Sequence, residues 1–173
     1  MTNEHTTVAD PRAAALAARI SVAIAAIVAR ADAISAAAPL PPDARLGHDE
    51  DAWGPREILA HVAEAVPYWH GEIERILAGD PAAGPAPFGR TADDPVRAGI
   101  LVRDRTLPAF VLFDGLGRDG AALTARLRRM TAGELDHVGR RVGTGEATIE
   151  QTIERTLAGH LEGHVQQLEA PFG

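Results

Sequence analysis

The stretch "TIEQTIERTLAGHLEGHVQQLE", residues 148–169, decides the fold. Thr148 and Gln151 stand at capping-box spacing, which predicts a helix start. From there Ile149, Ile153, Thr156, His160, His164 and Gln167 recur at steps of four and three, the spacing that lines one face of a helix. A helix that buries Ile149 and Ile153 on that face must also turn its two histidines toward neighbouring helices. An imidazole in such a place needs a partner or costs a few kcal/mol.

Working outward, other helices are marked in the same way. Asp10 with Pro11, Gly54 with Pro55, and Asp94 with Pro95 each supply an N-cap followed by a pre-set first turn. The first helix is expected to close at "APLPPDA" (38–44), and the second at "ILAGDP" (76–81), where Gly79 can cap and Pro81 stops the helix. The third contains Pro108 and "DGLGRDG" (114–120), yet Leu116, Leu123, Leu127 and Met130 keep helical spacing, so either a kinked helix or two shorter ones fits. Thr131 and Glu134 mark a short connecting helix before the last long one. No stretch shows the sustained alternation of a half-buried strand. The expected architecture over residues 1–173 is a single all-α domain, an antiparallel four-helix bundle.

Bulk composition narrows the function. The chain has 173 residues, 17 basic against 24 acidic, a net charge of −7 and no cysteine. No basic run offers a phosphate footprint, so nucleic acid is not an expected partner. Disulfides, thiolate metal sites and a protein-borne thiol nucleophile are excluded. The largely apolar run from Ile20 to Ala29 is short for a bilayer, Glu4 and Asp10 spoil a positively charged leader, and Leu16, Ile20, Ile24, Ile27, Ala31 and Ile34 keep helical steps. A core helix of a soluble, cytoplasmic protein is expected, with no membrane partner.

His160 and His164 sit one turn apart, so two ring nitrogens can converge on one ion, and neutral imidazole is a common ligand for first-row divalent metals. A third ligand must come from another helix. His61, three residues after Ile58 and four before Ala65, lies near the inner stripe of the second helix and is the best candidate. His5, His48, His70 and His137 lack such a setting and are read as solvated or locally bonded.

The segments "HVAEAVPYWHGEIERILAGDP" (61–81) and "HLEGHVQQLE" (160–169), within a four-helix chain, resemble the DinB/YfiT-like metal-binding bundles. The resemblance implies a metal triad at His61, His160 and His164 holding zinc, nickel or iron, with positions left open for water or substrate. It also implies a small-molecule substrate and group transfer or isomerisation assisted by mycothiol or another low-molecular-weight thiol, which the absence of cysteine suits. A metal-dependent hydrolase, or a bundle whose ion is structural and which binds a partner, are the alternatives. An open pocket at the ion favours an enzyme; a fourth protein ligand or a sealed core favours the structural reading.

Around the triad, Glu64 and Tyr68 are candidates for supporting roles beside the metal, Glu57 a weaker one, and Trp69 either lines a pocket or belongs to the core. Arg103 and Arg105 either meet an anionic substrate or sit on an exposed helix face. A homodimer is expected, because such bundles commonly pair and four Ala-rich helices carry more apolar surface than one small bundle covers.

Overall fold

The computed structural model of the chain describes residues 9–41 and 50–170. His5, His48 and the closing end of the 38–44 segment lie outside the described residues. Helices α1 (Pro11–Val28), α2 (Ala31–Ala36), α3 (Pro55–Leu77), α4 (Pro95–Asp104), α5 (Ala109–Leu127), α6 (Ala132–Leu135), α7 (Ile149–Ile153) and α8 (Gly159–Glu169) carry the fold. A π-helical turn, Glu154–Ala158, joins α7 to α8, making one long last helix.

The starts fall where cap chemistry puts them. Asp10 accepts from the Arg12 amide, Asp94 from the Arg97 amide, and Thr131 and Thr148 form complete capping boxes with Glu134 and Gln151. The first helix, expected as a single element, is divided, and of the two forms open to the third, the structure has two shorter helices. The first breaks at Ala29 and Arg30, and Ile34 on α2 stays buried, seven residues on from Ile27 and so on the same face. The third breaks at Pro108, which caps α5, because proline cannot donate into the preceding turn.

Four long elements form the bundle. α1 packs on α5 and on the last helix, and α3 packs on the same two. Of the three chain-consecutive pairs, α3 with α5 is therefore adjacent, whereas α1 with α3 and α5 with the last helix lie across the diagonals. Such an order needs long crossing connections, and the intervals are long in sequence: 128–148, and 37–54, of which 42–49 lie outside the described residues. The core gathers Leu16, Ile20 and Ile27 of α1, Ile58, Leu59 and Ile73 of α3, Leu116, Leu123 and Leu127 of α5, and Ile149, Ile153 and Leu161 of the last helix. By length and a mean hydropathy of 1.6, α1 would also pass for a membrane segment. Its buried Leu16, Ile20 and Ile27 face, packed on α5 and α8, is that of a core helix.

The absence of strands is corrected by a small three-stranded sheet. β1 (Ala86–Phe88) pairs in parallel with β2 (Val138–Arg141), which pairs antiparallel with β3 (Gly145–Thr148). Strands of three or four residues are too short to show alternation, and one contains Pro87, which belongs at an edge. The sheet binds the 78–94 connection to the start of the last helix, where the Ile149 amide donates to the His137 carbonyl at 2.9 Å. Phe88, 1% exposed, fills the space over Gly139, where a Cβ would come within 2.7 Å of the ring and 3.2 Å of Ile76.

Gly139→Val is therefore expected to destabilise the protein by about 1–3 kcal/mol, since neither Phe88 nor Ile76 has room to retreat. Gly117→Ala, on an exposed face of α5 with nothing near its Cβ, is expected to gain up to about 1 kcal/mol from reduced chain entropy. Thermal unfolding of the two variants should move in opposite directions.

Candidate metal centre

The core of the bundle brings His61, His160 and His164 together. The Nε2 atoms of His61 and His160 are 3.1 Å apart, and those of His164 and His160 are 3.0 Å apart. Two nitrogens each about 2.1 Å from one tetrahedral ion stand roughly 3.4 Å apart, so the cluster is close to ligand spacing. His61 and His164 are buried, whereas the His160 side chain is 24% exposed and meets the open side.

Hydrogen bonds outside the cluster assign its protons. Gln167 Nε2 donates to the Glu50 carbonyl at 2.7 Å, which turns Gln167 Oε1 toward His164 Nδ1 at 3.0 Å. That oxygen only accepts, so Nδ1 carries the His164 proton and Nε2 is a bare lone pair. The Thr156 carbonyl, 3.3 Å from His160 Nδ1, does the same for His160. Two bare Nε2 atoms thus face each other at 3.0 Å, where neither can donate. Such a contact is repulsive unless an electron acceptor lies between them. His61 Nδ1 is buried without a partner, so His61 is held by packing, edge-on to Trp53 with ring centroids 5.1 Å apart. Trp53 also stacks nearly parallel to His164.

Glu50, in a 3-10 turn just before α3, is a fourth member that sequence reading missed. Its Oε2 lies 3.5 Å from His160 Nε2, while its Oε1 accepts from Arg97. The four ligand atoms lie within 4.8 Å of one another. Its sequence signal is the acidic run "HDED" (48–51), a composition typical of a solvated loop. Burial, and then the neighbouring imidazoles, hold His61 well below its ordinary pKa; burial lowers His164 to about 4. Both rings are neutral at pH 7, the form that binds a metal. Two lone pairs with fixed tautomers and one carboxylate, all directed at one place, suit a divalent cation.

The other candidates divide. Glu64 does not reach the histidines; it forms an ion pair with Arg90 at 2.5 Å, and Arg90 lies 3.8 Å over the Tyr68 ring. Both therefore position Arg90. Burial and the charge of Glu72 push the Tyr68 hydroxyl up to about 12. Glu57 is fully buried, accepting from the Leu40 amide and facing Arg105. Arg105 is thus internal, and exposed Arg103 pairs with Asp104. Trp69 lines a cavity of about 230 Å³ with His61, His160, Glu50, Arg141 and Arg155. The cavity opens to solvent beside His160, so the triad is not sealed in the core.

No family model matches the chain, and no curated protein does. The fold is similar to that of YfiT from Bacillus subtilis. That structure is described as "a probable metal-dependent hydrolase with an unusual four-helix bundle topology"; the TM-score is 0.69 with 15% identity, covering 97% of this chain and 90% of YfiT. At that identity the likeness is one of fold. It agrees with the architecture anticipated from the resemblance to DinB/YfiT-like bundles, and the diagonal helix order is a departure from simple up-and-down connectivity.

His160→Ala is expected to lose metal binding while remaining helical, since the aliphatic stripes supply most of the burial and the cavity costs about 1–3 kcal/mol. Gln167→Leu leaves every ligand atom in place but releases the His164 tautomer, and should weaken metal affinity about 10- to 100-fold. Metal titration followed by circular dichroism reads both. Unchanged affinity in His160→Ala would make this residue an ordinary core histidine.

Proposed function

We propose that the protein is a metal-dependent hydrolase of a small substrate, with His61, His160 and His164 as the metal ligands. The observation that carries this reading is the set of inward-facing acceptors at the inner end of an open cavity. Three imidazoles with a nearby carboxylate accept zinc, nickel or iron(II) alike, so the donor set fixes the class of ion and not its identity. A divalent ion held there lowers the pKa of water toward neutrality and polarises a carbonyl or phosphoryl oxygen.

The chain's own residues do the rest. Thr156 and Gln167 fix the His160 and His164 rings by their Nδ1 protons. Arg97 holds one oxygen of Glu50, leaving the other directed toward the cluster as an anionic proton acceptor. Trp53 closes the inner side of the histidines, and Trp69 narrows the cavity.

The thiol-dependent transfer or isomerisation expected from the family resemblance uses the same ligands. What favours hydrolysis is space: about 230 Å³ lies below the roughly 300–1,000 Å³ of sites that take drug-sized ligands. It suits one small substrate and water better than a substrate with a thiol cosubstrate. The YfiT description supports the same choice.

Protein purified without chelator is expected to carry one divalent ion per chain and to hydrolyse small esters or amides at a rate that chelation abolishes and metal restores. Glu50→Gln should keep the ion and lower kcat by about 10²- to 10⁴-fold, the range for a lost general base. A turnover that requires added mycothiol, bacillithiol or glutathione would replace hydrolysis with thiol transfer.

A further inference from the structure

The chain contains no lysine; all 17 cationic side chains are arginines. Most of those described have a carboxylate within ion-pair distance, among them Arg90 and Arg97 on the cavity wall. Arg56 is tied instead to the carbonyls of Arg105 and Leu107. Arg141 and Arg155 differ. Both line the cavity beside His61 and His160, and among the described residues neither has a carboxylate within ion-pair distance.

We propose that Arg141 and Arg155 form a receptor for an anionic group on the substrate, a carboxylate or a phosphate, at the mouth of the metal cavity. Arg141 ends β2, lies 5.2 Å over the Trp69 ring and has a buried Nε with no hydrogen-bond acceptor. Burial and the positive charge of Arg155 both lower its pKa, so the two cations are close enough to repel. A buried guanidinium donor without an acceptor costs about 1–3 kcal/mol or more, a cost that an incoming anion removes. The planar fork of arginine suits the paired oxygens of carboxylate and phosphate. Arg155 belongs to the π-helical turn, and such wide turns are found frequently at functional sites.

The anion receptor stands on these residues alone. What the anion is attached to rests on the hydrolase reading: an ester or amide with an acidic group a few bonds from the scissile carbonyl. The two are separable by working without metal. Metal-free protein is titrated at low ionic strength with succinate in one arm and inorganic phosphate in the other, following tryptophan fluorescence and calorimetry. Saturable binding of at least one anion is expected. Arg141→Met and Arg155→Met should each weaken it about tenfold or more, whereas Arg128→Met, on an exposed helix end, should leave it unchanged. The arm that binds identifies the anion. Arg155 is exposed, so its variant carries the test if Arg141→Met fails to fold. His160→Ala, which removes the metal centre, should keep anion binding. No saturable binding of either anion, or equal weakening by Arg128→Met and Arg155→Met, would overturn the receptor. Anion binding without hydrolysis of acidic esters by the metal-loaded protein would overturn the hydrolase reading and leave the receptor standing.

Discussion

Two imidazole nitrogens that cannot donate, held 3.0 Å apart inside a helical bundle, are the constraint on which the rest of the site depends. A pair of core histidines serving only stability would be arranged so that one ring donates to the other. Here Thr156 and Gln167 have already taken the Nδ1 protons, and both Nε2 lone pairs are spent on the same small volume. That arrangement raises the energy of the empty protein and lowers that of a protein holding a cation. Stability is thereby given up for binding, as is usual where local rules are broken at functional sites.

The fold supplies this arrangement through connections more than through helices. Setting α1 with α3 and α5 with the last helix on the diagonals requires long crossings, and the crossings bring the cavity its polar groups. Glu50 comes from the first and Arg141 from the second, while Arg90 follows β1 and is tied to α3 through Glu64. The small sheet fastens the 78–94 and 128–148 connections to the start of the last helix, just before the π-helical turn that precedes His160. The backbone carbonyl of Glu50 and its side chain serve opposite ends of one network, the first holding Gln167 and the second facing His160.

What could be read in the sequence follows from this division. Helical periodicity and proline-marked caps are local, so the long helices, their starts and the inward placement of His61, His160 and His164 were legible. The sheet was not, because β1 pairs with residues about fifty positions away and all three strands are too short to alternate. Glu50 was invisible for the same reason: a carboxylate in an acidic loop reads as solvated until the crossing delivers it to His160. Glu64 and Tyr68, expected beside the metal, stand against Arg90 instead, which reaches them from a loop that periodicity cannot place. Helix order around the bundle is likewise a property of the connections.

Net charge misleads for a similar reason. An overall −7 argues against polyanions, whose binding depends on extended surface potential. It does not argue against a small anion, which responds to the charges within a few ångströms. Screening over about 8–10 Å at ordinary salt separates the two scales. Along the outer helix faces the arginines are matched by carboxylates such as Glu154 and Glu162 around Arg19. At the cavity the balance shifts: Arg90 pairs with Glu64 and Arg97 with Glu50, and Arg141 and Arg155 add two cations with no carboxylate within ion-pair distance among the described residues. An acidic protein can therefore keep an electropositive cavity, and the ion pairs that fix Glu64 and Glu50 keep those carboxylates from neutralising Arg141 and Arg155.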